Sequence, residues 1–177
     1  MSPQPSTTHG SAPLPDAEPL DARDAIYLRQ AIALSWRARE RGNRPFGAVI
    51  VGRDGQILAE ASNANGETGD STAHAETSAV RAASQVYGRE GLAGSTLYSS
   101  GEPCVMCAGA IFWGNIDRVV FGIDAERLRA FRGDLPDQVD LRMSCREVFA
   151  AASRPPLCVG PALIDEASAA HEGAWRS

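Results

Sequence analysis

A chain of 177 residues, 44% hydrophobic and 22% charged, is long enough for one domain with a substantial core and too short for two. No apolar run approaches the roughly 20 residues of a membrane helix, and four cysteines are too few for a disulfide framework. A net charge of −5 argues against a surface built to grip a polyphosphate backbone.

Residues 1–20 form a tail by composition. Five of the eleven prolines fall there among Ser, Thr and Gln, a mixture that cannot bury enough surface to offset its ordering entropy. It lacks the basic segment and apolar core of a secretory signal, and with two unpaired cysteines outside the one Cys-x-x-Cys the chain is expected in a reducing cytoplasm. The folded domain is expected over 21–177.

The first helix is predicted from about Asp21 to Arg41, with Ala25, Leu28, Ile32 and Trp36 on its buried face and Gly42 at its stop. Phe46 to Val51 and Ile57 to Ala61 read as a hairpin across Asp54-Gly55. A polar loop from Ser62 to Asp70 follows. A second helix is predicted from Ser71 or Thr72 to just before Gly88, with His74 and Glu76 in its first turn. Ser95 to Ser99 is a third strand. Pro103 suits the first position of a third helix running to Trp113, which puts Cys104 and Cys107 on one face of its first turn. Arg118 to Gly122 is a fourth strand, followed by a helical stretch over 125–131. Ser144-Cys145-Arg146-Glu147 is a capping box. Leu157 to Val159 is a short fifth strand, and Pro161 is predicted to open a last helix reaching Trp175. The long helical link between the last two strands makes them parallel. No internal repeat is present.

The chemistry concentrates between His74 and Cys107. His74-Ala75-Glu76 and Pro103-Cys104-Val105-Met106-Cys107 supply one imidazole and two thiolates, enough to hold Zn²⁺ and leave a fourth position for water, the layout of a catalytic zinc site. A redox pair explains neither His74 nor Glu76, and a structural zinc site lacks a nearby fourth ligand. Helix N-termini at both halves favour the thiolate forms. His-x-Glu with Pro-Cys-x-x-Cys is the signature of zinc-dependent nucleobase deaminases, in which the Glu moves protons between water, ring nitrogen and leaving amine. Glu76 is therefore the expected catalytic residue, with His74, Cys104 and Cys107 as metal ligands.

Here the chain resembles the cytidine-deaminase-like superfamily over about Phe46 to Asp124. Pro45 to Val51, Thr72 to Glu76 and Glu102 to Ala110 look like its guanine deaminase and tRNA adenosine deaminase branch. The resemblance implies the cytidine deaminase fold, a three-layer α/β/α sandwich with a five-stranded mixed sheet whose last two strands are parallel. It also implies a homodimer. Phe112-Trp113 and the acidic C-terminal segment resemble enzymes of free purine bases, whereas Arg118 to Gly122 resembles the tRNA branch. The expected substrate is thus a purine base or nucleoside, guanine first, with a tRNA adenosine or a cytosine-type base as alternatives. By position, the resemblance implies substrate contacts from Asn63, eleven residues before His74, and from Phe46, the Ala75 N–H, Trp113, Asp134 and Trp175.

Overall fold

The computed structural model describes residues 18–133 and 140–175. The first helix, α1 (Ala22–Glu40), starts where the Asp21 carboxylate accepts the Asp24 N–H, the usual way an N-cap satisfies a free helix donor. Its buried face runs through Leu28, Ala31, Ile32, Leu34, Ser35 and Ala38. Trp36 departs from expectation. It lies about 100° around the helix from Ser35, is 38% exposed, and carries Arg39 over its ring.

Strand β1 (Gly47–Val51) is buried along its whole length, because it pairs on both edges and has helices on both faces. At Gly47 a Cβ would lie 2.3 Å from the Ala31 carbonyl oxygen and 2.5 Å from the Leu34 Cβ. Only glycine lets α1 pack this close to the strand. β2 (Ile57–Ser62) returns as an antiparallel edge strand. The short helix α2 (Asn65–Thr68) sits in the polar loop that was expected to be irregular.

α3 (Ala75–Gly91) and α4 (Val105–Trp113) flank β3 (Thr96–Gly101). Both helices start later than predicted. Asp70 accepts the Thr72 N–H and hydroxyl, which holds residues 70–73 in a turn and delays α3 until His74 serves as its N-cap. Pro103 lies ahead of α4, whose N-cap is Cys104. At its far end α3 runs past Gly88, which kinks it with φ 65°.

β4 (Arg118–Ile123), α5 (Ala125–Arg132), α6 (Cys145–Ala150), β5 (Leu157–Val159) and α7 (Ile164–Ala169) complete the chain. The strand order is β2-β1-β3-β4-β5, with β1 antiparallel to both neighbours and β3, β4 and β5 mutually parallel. The five-stranded mixed sheet with parallel last strands is as expected. The last helix is shorter than expected: Pro161 and Ala162 stay in a loop, Leu163 is left-handed, and 170–175 form turns.

Two apolar cores result, one on each face of the sheet. Ala79, Ala83, Ile111 and Phe149 pack α3, α4 and α6 against one face. Leu28, Ile32, Leu128 and Ala167 pack α1, α5 and α7 against the other. Of the expected tail, only Glu18 to Leu20 are described. Glu18 donates its N–H to the Pro161 carbonyl and pairs with Arg146, and Leu20 packs on the second core. No helix among the described residues is long and apolar enough to cross a membrane.

Candidate active site

Two helix N-termini meet beyond the carboxyl end of β3, the usual place for ligands of parallel strands. His74 and Cys104 are the N-caps of α3 and α4, and neither side chain caps its own helix. Both point instead at a common spot with Cys107. His74 Nδ1 lies 3.5 Å from each sulfur, and the two sulfurs are 3.6 Å apart. A tetrahedral zinc with bonds of about 2.3 Å to sulfur and about 2.05 Å to nitrogen requires edges of about 3.8 and about 3.6 Å. The three donors therefore fit zinc in number, type and spacing. Among the described residues they form the one group of three or more ligating side chains. A hydrogen bond to Cys107, with His74 beside it, pulls the Cys104 thiol down to about 4, and the same sulfur–sulfur bond and burial push Cys107 up. A bound cation makes both thiolates.

Glu76, on the first turn of α3, is 4% exposed. The Ser99 hydroxyl of β3 donates to its Oε1 at 2.9 Å, and the Cys107 thiol contacts its Oε2 at 3.4 Å. Burial raises its carboxyl above the usual range.

Above these residues lies a pocket of about 120 Å³. His74, Glu76 and Cys104 form its floor. Its walls come from Phe46, from Leu128, Arg129 and Arg132 on α5, from Asp140, Leu141 and Met143, and from Trp175. Arg129 and Arg132 both reach Asp140, at 2.5 and 3.3 Å. Trp175 stacks on His171 at 5.8 Å with the planes 7° apart, and Phe46 meets it edge-on at 6.0 Å. Arg44 lies 5.5 Å from the Trp175 ring centre. His171 is fully buried with neither ring nitrogen hydrogen-bonded, so burial, with help from Arg39, lowers it to about 4 and keeps it neutral.

The expected site residues divide. Phe46 and Trp175 line the pocket. Asn63 is 2% exposed and does not line the pocket, and its Oδ1 is a buried acceptor without a donor among the described residues. Ala75 is fully buried between His74 and Glu76. Trp113 is 73% exposed and packs on Phe112, outside the pocket of its own chain. Asp134 lies outside the described residues. Sequence reading missed Arg44, Ser99, Glu102, Arg129, Arg132, Asp140 and Met143. Of these only Glu102, at the head of the Glu102 to Ala110 stretch and directly before Pro103-Cys104, sits in a motif.

A family model for the cytidine and deoxycytidylate deaminase zinc-binding region matches residues 21–123. A probable cytosine deaminase of Schizosaccharomyces pombe is 41% identical over 156 residues, 88% of this chain and 94% of the relative. The guanine deaminase of Bacillus subtilis is 42% identical over 99 residues, 55% of this chain and 63% of that protein. Among solved structures, one from work on A-to-I editing by tRNA:A34 deaminases superposes with a TM-score of 0.65 at 30% identity, over 82% of this chain and 99% of the other.

Proposed function

The chain belongs to the cytidine and deoxycytidylate deaminase zinc-binding family, and from that premise we propose that it hydrolyses the exocyclic amine of a free nucleobase. The products are the carbonyl base and ammonia. The observation that carries the free-base reading is the pocket. At about 120 Å³ it falls well below the roughly 300–1,000 Å³ of sites that take drug-sized ligands, and Trp175 closes one side.

The zinc of this family supplies Lewis acidity toward water when held by His74, Cys104 and Cys107. Glu76 accepts a proton from the attacking water, then delivers protons to the ring nitrogen and to the amine that leaves as ammonia. Its burial and raised carboxyl suit both directions of transfer. The Ser99 hydrogen bond fixes one oxygen and leaves the other on the side of the metal site, beside Cys107. Asn63 and the Ala75 N–H orient the ring edge, and Phe46 and Trp175 form the aromatic wall it packs on.

Cytosine is the substrate we place first. The relative of that name matches over 156 of 177 residues, which takes in the helices after residue 123 that wall the pocket. Guanine comes second, because the aromatic pair that favoured it ends in an exposed Trp113. Arg118, part of the stretch resembling the tRNA branch, is bound to Asp24 inside the fold, which supports a structural role for it. A homodimer would cover the exposed Trp113 and Met106 on α4.

The test is ammonia release by the zinc-loaded protein from cytosine, guanine, adenine, their nucleosides and a tRNA anticodon stem-loop. Turnover of free bases is expected. Turnover of the stem-loop alone would overturn the reading.

A further inference from the structure

We infer that Glu102 is a positioning residue that sets the walls of the pocket against its zinc-binding floor. Glu102 follows the end of β3 and precedes Pro103 and the ligand Cys104, and its own N–H is anchored to the Ile123 carbonyl at the end of β4. Its carboxylate reaches two other elements at once. Oε2 accepts the N–H of Ala125, the first residue of α5, at 2.9 Å, and Oε1 accepts the N–H of Cys145, the first residue of α6, at 3.0 Å.

Neither helix needs Glu102 for its ordinary cap. Asp124 already accepts the Arg127 N–H at the start of α5. Ser144 and Glu147 form a reciprocal capping box at the start of α6. Glu102 takes the further free N–H that each helix start leaves over, and a carboxylate between two helix N-termini is favoured by both dipoles. One side chain on the cysteine loop thereby ties together α5, which carries Leu128, Arg129 and Arg132, and the start of α6, which follows Met143. Those residues are the pocket wall, and Glu102 itself lines the same pocket. The Arg129–Asp140–Arg132 ion pairs join wall to wall and do not reach the floor, and their groups are part-exposed and therefore weakly stabilising.

The inference rests on the deaminase reading for its kinetic arm only. Glu102→Gln keeps the shape but turns an amide N–H toward one of the two helix donors, and Glu102→Ala removes both acceptors. Three measurements are made on the full chain: zinc per chain, steady-state kinetics on the best base of the panel, and amide exchange at Ala125 and Cys145. Ser144→Ala serves as control, since it weakens the α6 cap without touching Glu102. In both Glu102 variants zinc is expected to stay at the wild-type level and both amides to lose protection. KM should rise about tenfold or more, the effect of breaking a charge-assisted hydrogen bond, with kcat changed less than KM and the alanine variant worse than the glutamine. Ser144→Ala is expected to lower Tm and leave KM unchanged. Wild-type exchange rates at Ala125 and Cys145 in the variants would overturn the inference whether or not any base is turned over. So would an unchanged KM with only a lowered Tm, or loss of zinc. Absence of turnover in the wild type with lost amide protection counts against the deaminase reading and leaves the clamp standing.

Discussion

The floor and the walls of the pocket are built on different principles. The floor is two helix starts set on adjacent elements of one sheet. His74, Glu76, Cys104 and Cys107 come from two short stretches, and α3 and α4 beneath them bury apolar side chains such as Ala79, Ala83 and Ile111. The walls gather α5, the segment before α6, and the chain's last turns, held by ion pairs, aromatic stacking and the Glu102 carboxylate. Such an arrangement builds the chemistry from two neighbouring stretches and the shape that meets the substrate from several separate elements. The family match ends at residue 123, before every wall element of the second half.

The largest way to break the floor alone is Glu76→Gln. Turnover should fall by about 10²–10⁴-fold, the range for losing a positioned proton carrier. Zinc per chain and the fold should persist, because the amide oxygen still accepts from Ser99. Retained turnover in a stopped ammonia assay would remove Glu76 from the chemistry.

A second change probes the start of β4, the opposite end of the strands from the floor. Asp24 is 5% exposed and takes two hydrogen bonds from Arg118 and one from Tyr98. The Arg118 hydrogen bond holds its carboxyl below the ordinary range. Asp24→Ala strands Arg118 and should lower the unfolding free energy by about 3 kcal/mol, less than for a fully buried pair because Arg118 is partly exposed. Urea titration checks it. Zinc content and turnover per folded molecule should not change. The sign with pH follows: the Asp24 contribution is complete above the ordinary carboxylate value and is lost as pH falls through its lowered one.

The smallest effect sharpens the picture of the walls. His171 is held near 4, against 6.5 when free, so the unfolded chain binds the extra proton between those values. Stability should fall on acidification from 6.5 to 4, by at most about 3 kcal/mol from this group, and level off below. His171→Phe, which keeps the stacking on Trp175, should flatten that limb in Tm measured from pH 7 to pH 4. An unchanged slope would show that other groups set it.

Much of the floor was legible because its chemistry is local. Ligand spacing, proline and helix starts are properties of a few neighbouring residues, and the capping box at Ser144 was visible for the same reason. Element starts were read two to four residues early where a side chain served something other than the helix: Asp70 and Thr72 form a turn, and His74 and Cys104 take N-cap positions while aiming at a metal. The walls were illegible because Arg129, Arg132 and Asp140 gain their meaning only from tertiary neighbours. Trp113 is exposed and outside the pocket of the single chain, and an aromatic at a helix end shows no sequence pattern that separates a pocket from a surface. Of the stripe expected on α1, Leu28 and Ile32 are buried, whereas Trp36 lies beside the buried Ser35 on the exposed flank.

The three tryptophans of the chain sort the molecule optically. In the monomer Trp36 and Trp113 are open to solvent, so their emission is long in wavelength and within reach of an aqueous quencher such as iodide. Trp175 is 9% exposed and lies against His171 in the pocket wall, so its emission is shorter in wavelength and sheltered. The light that survives iodide comes from one ring at the binding site, which gives the protein a built-in gauge of pocket occupancy that needs no label and no turnover.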